Sequence, residues 1–365
     1  MPPWRFAARQ CLHRQPGSDN IARAEPKGTC LQRLWTRREG LAAAAVLALP
    51  LPAAAAPIHR IVAVGDLHGD FAAWRAIARA AGLVDAAGRW SGGDAVLVQT
   101  GDVVDRGPDS RRLIEELMRL KREAPAGQVV TLVGNHEAMN MTGDLRYLTP
   151  ADYAAFTDAN SARLRDTIYD ANKAAIIAAN RAHDPRITDD AVKQAWYAAT
   201  PLGSIEHRIA WGPGGEIGSW VLGNPAVVLL DGTLFLHGGI SPAYARMTLD
   251  EINARVAAAL KAGDTSPKSI INDPLGPLWY RGLAEEPAAS PDAPPIAQQL
   301  NQLLAAFGAR RIVIGHTPVL TGIAITEGGR LIRIDTGDSE VYRGKLSYLE
   351  ILDGNPVPHA IERSP

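Results

Sequence analysis

Five short apolar runs in this chain each pass into a polar stretch built from glycine with aspartate, asparagine or histidine. Val64 leads to Gly65-Asp66-Leu67-His68-Gly69-Asp70, Gln99 to Thr100-Gly101-Asp102-Val103-Val104-Asp105-Arg106-Gly107, and Val133 to Gly134-Asn135-His136-Glu137. Further on, Leu236 leads to His237-Gly238-Gly239 and Ile314 to Gly315-His316-Thr317. A β-branched run that stops at glycine reads as a strand turning sharply at its carboxyl end. In an open α/β sheet ligands gather beyond those ends, so the five exits predict one shared site.

The runs themselves predict strands at Ile61–Val64, Ala95–Gln99, Val129–Val133, Ala226–Leu230, Leu234–Leu236, Arg311–Ile314 and Leu331–Ile334. Between the first three lie helical patterns, with Phe71, Trp74, Ile77, Ala78 and Ala81 on one face of the first and Leu113, Ile114 and Leu117 on the second. Asp109 or Ser110 is the expected cap of that second helix. This alternation predicts an α/β layered domain. Residues 151–199 are Ala-rich and strand-poor and predict a helical insert with Tyr153, Phe156, Leu164, Ile168 and Ala171 as its apolar positions. The stretch 285–295 reads as a surface linker, and there is no internal repeat.

Four of the nine histidines, His68, His136, His237 and His316, sit at the exits beside Asp66, Asp102 and Asn135. Imidazole with carboxylate oxygen suits Zn, Mn or Fe, and six or seven donors exceed what one open four-coordinate zinc uses. Two metal ions are therefore expected. Beyond residue 56 the other histidines, His59, His183, His207 and His359, carry no spacing signal and read as structural or exposed. Asp335-Thr336-Gly337 reads as a turn.

Composition narrows the chemistry further. Of 38 basic and 39 acidic residues, the first 56 positions hold eight and three, together with both cysteines, Cys11 and Cys30. The remainder is cysteine-free with net charge -6, which excludes a thiolate nucleophile and a disulfide framework there. No global basic field exists to hold nucleic acid. No apolar run reaches the roughly 18–20 residues of a membrane span.

Residues 1–56 read as a leader. Arg37-Arg38 precede an Ala- and Leu-rich stretch, 41–56, ending in Ala53-Ala54-Ala55-Ala56, the layout of a signal peptide with cleavage near Ala55. The paired arginines resemble a twin-arginine signal. A periplasmic or secreted mature chain, 57–365, is the expectation.

In their order and spacing the five polar stretches, with Pro318 after Thr317, resemble the calcineurin-like metallophosphoesterase superfamily and, within it, the serine/threonine-type protein phosphatases. The phrase from Gly134 to Tyr147 and the later Pro277-Leu278-Trp279-Tyr280-Arg281-Gly282 are similar to the Shewanella-like phosphatase branch. The resemblance implies a layered α/β/β/α fold, two mixed sheets flanked by helices. It implies one metal held by Asp66, His68 and Asp102, and a second held by Asn135, His237, His316 and the shared Asp102. A hydroxide bridging the metals would attack phosphorus directly. His136 would protonate the leaving group, Asp105 would orient it, and Arg106 and Arg281 would bind phosphate.

The expected activity is a dimetal phosphomonoesterase acting on phosphoproteins or phosphopeptides, on phosphotyrosine, phosphoserine or phosphothreonine. The alternatives are a symmetrical diadenosine tetraphosphate hydrolase or another small phosphoester hydrolase, and, from another class, a catalytically inactive phosphate-binding module. The helical insert is expected to wall or cap the cleft.

Overall fold

The computed structural model of the protein describes residues 58–284 and 294–363. The leader, with its cysteines, paired arginines and apolar stretch, lies outside the described residues, as does most of the expected linker. Among the described residues no helix is long and apolar enough to cross a membrane.

Among the described residues ten strands form in chain order: β1 (Arg60–Val64), β2 (Val96–Gln99), β3 (Val129–Thr131), β4 (Val227–Leu230), β5 (Thr233–Leu236), β6 (Arg311–Ile314), β7 (Ala324–Thr326), β8 (Leu331–Arg333), β9 (Leu346–Leu352) and β10 (Asn355–Ile361). They make two five-stranded sheets, ordered β10-β9-β1-β2-β3 and β4-β5-β6-β8-β7. In each sheet three strands run parallel, β1, β2 and β3 in the first and β5, β6 and β8 in the second. The outer strands pair antiparallel. Both sheets are therefore mixed.

The side-chain alternation of each strand assigns its two faces. Ile61 and Ala63 of β1 meet Phe235, Val313 and Ile332 in an apolar layer between the sheets. Val62 and Val64 turn the other way, toward Trp74, Ile77, Leu113 and Leu117. In β6, Val313 joins the intersheet layer while Ile312 and Ile314 face Ile252, Leu300 and Leu303. Strands buried on both faces read as continuous apolar runs, and the result is a helix–sheet–sheet–helix order of layers.

The first sheet is covered by α1 (Phe71–Ala80) and α2 (Ser110–Glu123). Asp70 caps α1 by accepting from Ala73 N at 2.9 Å, and the face Ala73, Trp74, Ile77, Ala78 goes into the core. The cap expected on α2 does not form. Asp109 stands at the N-cap position without a side-chain bond, and Ser110 Oγ instead accepts from Asp105 N at 3.0 Å.

Then α3 (Asn135–Thr142) leads into the insert: α4 (Pro150–Ala154), α5 (Ser161–Arg181), α6 (Asp189–Ala199), α7 (Ser204–Trp211) and α8 (Glu216–Leu222). The helical stretch thus continues past residue 199 to Leu222. Residues 170–194 separate as a compact unit of their own, in which Arg181 pairs with Asp189 at 2.7 Å. Covering the second sheet are α9 (Leu249–Ala262) and α10 (Ile296–Phe307).

Candidate active site

The residues expected to carry chemistry lie just past the carboxyl ends of parallel strands in both sheets. Asp66 and His68 follow β1, Asp102, Asp105 and Arg106 follow β2, and Asn135 and His136 open α3 after β3. From the second sheet, His237 follows β5 and His316 follows β6. The turns are tight enough to leave no room for a Cβ. One added at Gly134 would lie 2.3 Å from both Asp102 N and Asp102 Oδ1, and one at Gly315 would lie 2.4 Å from Asp66 Oδ1. Five non-glycine residues here, His68, Asp102, Asp105, Arg106 and His316, have φ between 42° and 72°. Such left-handed conformations cost free energy and persist where the surrounding structure dictates them.

The carboxylate of Asp102 is the hub. Its Oδ2 lies 3.3 Å from His237 Nε2, 3.8 Å from His136 Nε2 and 3.9 Å from His68 Nε2. Asp66 Oδ2 lies 3.9 Å from the same His68 nitrogen, and Asn135 Oδ1 lies 2.8 Å from His237 Nε2. Two groups of side chains able to hold a metal share Asp102: one with His68 and His136, the other with His237 and His316. Proximity alone thus admits His136 to the first group.

The donor set fits metal ions. Nδ1 of His237 is 2.9 Å from the Thr100 carbonyl and Nδ1 of His68 is 3.2 Å from that of Val104. Each ring that donates to its carbonyl presents a lone pair on Nε2 toward the carboxylates, which is how ligating histidines are oriented. His316 Nε2 is buried with no hydrogen-bond partner among the described residues. Its backbone N–H donates to Asp66 Oδ1 at 3.1 Å, linking the two sheets at the site.

Burial pushes the His68 pKa down to about 3 and that of His316 to about 2, leaving both neutral as ligation requires. Asp66 is raised well above the usual carboxylate range by burial, with the charges of Asp335 and Asp102 adding to it. Burial opposes charge on Asp102 as well, yet the His237 and His136 charges hold its pKa well below normal. Crowded buried carboxylates of this kind are relieved by cations.

Beside this centre stands a different pair. His136 Nδ1 is 2.6 Å from Asp105 Oδ2, and although burial works against it, the Asp102 and Asp105 carboxylates raise the His136 pKa. Asn140, one helical turn on, donates from Nδ2 to Asp105 Oδ1 at 3.0 Å and to the His136 carbonyl at 2.9 Å. Glu137, 1% exposed, accepts from the N–H groups of Gly134, Asp102 and Val103 at 2.8–2.9 Å. It ties the loop after β2 to the start of α3.

Arg106 lies over the Tyr147 ring at 4.5 Å and the Tyr342 ring at 5.3 Å. Tyr147 is also 4.9 Å from the His136 ring, and Tyr342 5.4 Å from that of His68. Arg281 Nη1 donates to Thr317 Oγ1 at 3.1 Å, next in sequence to His316. All the expected site residues are thus gathered at the ends of the parallel strands.

Sequence reasoning gave Asn140 and Tyr342 no role and read Asp335 only as part of a turn. Asp335 follows the last parallel strand, β8, is 1% exposed, and burial raises its pKa to about 6. It does make the expected turn, accepting from Gly337 N at 3.0 Å, but its charge also bears on Asp66. The signal was akin to that at the other exits, a strand running into a metal-liking residue with glycine close by, here Asp335-Thr336-Gly337. Of the histidines read as structural, His207 is buried among Tyr153, Phe156 and Trp211. His59 and His359 pair with Asp353 and Glu350.

The pattern of calcineurin-like phosphoesterases matches residues 59–320. A protein of Schizosaccharomyces pombe is 33% identical over 83% of this chain and 81% of its own length. Shewanella-like protein phosphatase 2 of Arabidopsis thaliana is 31% identical over 77% of this chain and 72% of its own. Among solved structures, a cold-active protein tyrosine phosphatase superposes with a TM-score of 0.60 at 23% identity, covering 83% of this chain and 78% of that one. At that identity the likeness speaks for the fold.

Proposed function

We propose that this chain, which belongs to the calcineurin-like phosphoesterase family, hydrolyses phosphate monoesters on phosphorylated proteins or peptides. Membership makes it a metal-dependent phosphatase at the coarse level. The observation that carries the finer reading is the placing of Asp102 Oδ2 between His68 and His237, 3.9 and 3.3 Å away. One shared carboxylate screens two adjacent cations.

Asp66, His68 and Asp102 would hold one ion, and Asp102, Asn135, His237 and His316 the other, with manganese, iron and zinc all compatible with the donors. When bound, the two ions supply Lewis-acid charge and a water acidic enough to attack phosphorus near neutral pH. Arg106 and Arg281 orient the phosphate by charge-assisted hydrogen bonds. His136 gives its Nε2 proton to the departing oxygen, and Asp105 keeps that imidazole charged and aligned. The Tyr147 and Tyr342 rings flanking Arg106 suit the ring of a phosphotyrosine, and the described phosphatase relatives agree with a protein substrate.

Hydrolysis of a phosphotyrosine peptide, a phosphoserine peptide and diadenosine tetraphosphate by the manganese-loaded chain, side by side, tests this. The expected order places a phosphopeptide first. A preference of more than about tenfold for the dinucleotide would overturn the substrate class, and no turnover of any would favour a phosphate-binding module. The reading extends to location, a mature chain exported after cleavage near Ala55. Amino-terminal sequencing of the protein from its native compartment checks that.

A further inference from the structure

Next to Asp105 and Asn140, the helical stretch meets the loop after β2 and α3. A small cavity of about 10 Å³ lies there, lined by Asp105, Asn140, Asp152, Phe156, His207 and Trp211 among others. By the same measure this is the space one water needs. Three polar atoms of the lining residues, Asn140 Oδ1, Asp152 Oδ1 and His207 Nδ1, are buried and have no hydrogen-bond partner among the described residues.

Each of the three is held in place by its other bonds. The Asn140 amide spends its N–H groups on Asp105 Oδ1 and the His136 carbonyl, leaving Oδ1 as its open acceptor. Asp152 Oδ2 accepts from Thr149 N at 2.7 Å and Thr149 Oγ1 at 2.8 Å, and the Ser110 hydroxyl bears on the same carboxylate, leaving Oδ1 with lone-pair capacity to spare. Burial drives the His207 pKa down to about 3, so its ring is neutral and carries one N–H. Buried polar atoms in native proteins are paired with protein or with ordered water. One water can donate to both open acceptors and accept from His207 Nδ1–H.

We propose that this cavity is a hydration site whose single ordered water ties α4 and α7 of the insert to Asn140, making Asp152 and His207 positioning residues for the His136–Asp105 pair. The chain of contacts runs from water to Asn140, from Asn140 to Asp105 and from Asp105 to the ring of His136. On this proposal α4 and α7 act as a buttress for the proton donor. This inference rests on His136 being that donor.

The test compares the full chain with His207→Phe, Asp152→Asn and His136→Asn on a phosphoserine peptide and on p-nitrophenyl phosphate, with metal content and melting temperature measured for each. Nitrophenolate departs without a proton, whereas serine alkoxide needs one. Both cavity variants are expected to lower kcat on the phosphoserine peptide about tenfold, with KM and metal content held and p-nitrophenyl phosphate turnover within about twofold. His136→Asn should show the same selectivity, more strongly.

If His136→Asn is selective but the cavity variants slow both substrates alike, or neither, the positioning role is overturned while the proton donor stands. If His136→Asn slows both substrates equally, the donor assignment fails and takes this inference with it. A high-resolution crystal structure should place a water within hydrogen-bond reach of the three atoms, and an empty cavity would overturn the hydration site.

Discussion

Asp105 Oδ2 lies 2.6 Å from His136 Nδ1, with both side chains buried and the other carboxylate oxygen held by Asn140. The carboxylate is fixed on both oxygens, so the imidazole it faces has little freedom to turn. Asp105→Asn keeps the shape and removes the charge that keeps the ring protonated. We expect kcat on a phosphoserine peptide to fall roughly 100-fold, the scale of general acid catalysis, with two metal equivalents retained. Steady-state kinetics with elemental analysis decides it, and loss of metal in this variant would count against the assigned role.

Asp102→Asn is the contrasting change. Its carboxylate serves both donor groups, so the variant should lose both ions together. A chelator competition titration would show two equivalents displaced at far lower chelator than in the wild type. Loss of one ion alone would contradict the sharing of Asp102.

Gly134 has an ordinary φ of -96°, so what requires glycine there is space. A Cβ would press on Asp102 N and Oδ1 at 2.3 Å. Gly134→Ala is expected to cost about 1–3 kcal/mol by overpacking and to weaken metal uptake at the same time. Thermal melts with and without added manganese would reveal both effects. A variant as stable and as metal-replete as the parent would refute the close approach.

Buried neutral His207 predicts an acid sensitivity. An unfolded histidine takes up its proton near 6.5, whereas the folded one resists until about 3. Between those values the unfolded state binds more protons, so this contribution is whole above about pH 6.5 and is lost as pH falls toward 3. Wild type should lose about 2 kcal/mol more than His207→Phe between pH 7 and pH 5. Denaturant titrations at the two values check the difference, and equal losses would contradict the burial of a neutral ring.

Much of this was legible beforehand because each parallel strand is apolar on both faces and ends at a glycine. All seven expected strands form, within a residue or two at their ends. The β9–β10 hairpin escaped notice because Pro356 and Pro358 argue against a strand. β10 tolerates them as an edge, pairing only with β9. Its turn was marked all the same, by Asp353-Gly354, both at positive φ, the signature of a two-residue hairpin loop. β7 has only Ala324 partly buried and Ile325 and Thr326 exposed, so it carries no apolar run.

At the site, residues within a motif were readable and those arriving from afar were not. Tyr342 sits in the loop between β8 and β9, where Glu340 N donates to Asp70 Oδ2 at 2.8 Å and Arg363 Nη2 donates to the Asp338 carbonyl at 2.7 Å. That anchoring spans 270 residues in one case, a relation local spacing cannot express. Asn140 was missed because an asparagine in mid-helix has no signature until Asp105 is seen beside it.

Asp66, Asp102 and Asn135 hang from one sheet, and His237 and His316 from the other. The ligand set proposed for the second ion is therefore split between the sheets, whereas Asp66, His68 and Asp102 all come from the first, and the second position closes only when the intersheet layer around Phe235 and Val313 is in place. On that proposal, filling of the second position would be a late event in maturation and a certificate that the sheets have met. A chain stalled with its sheets apart would lack the second position, and an ion captured there afterwards would act as a rivet against reopening.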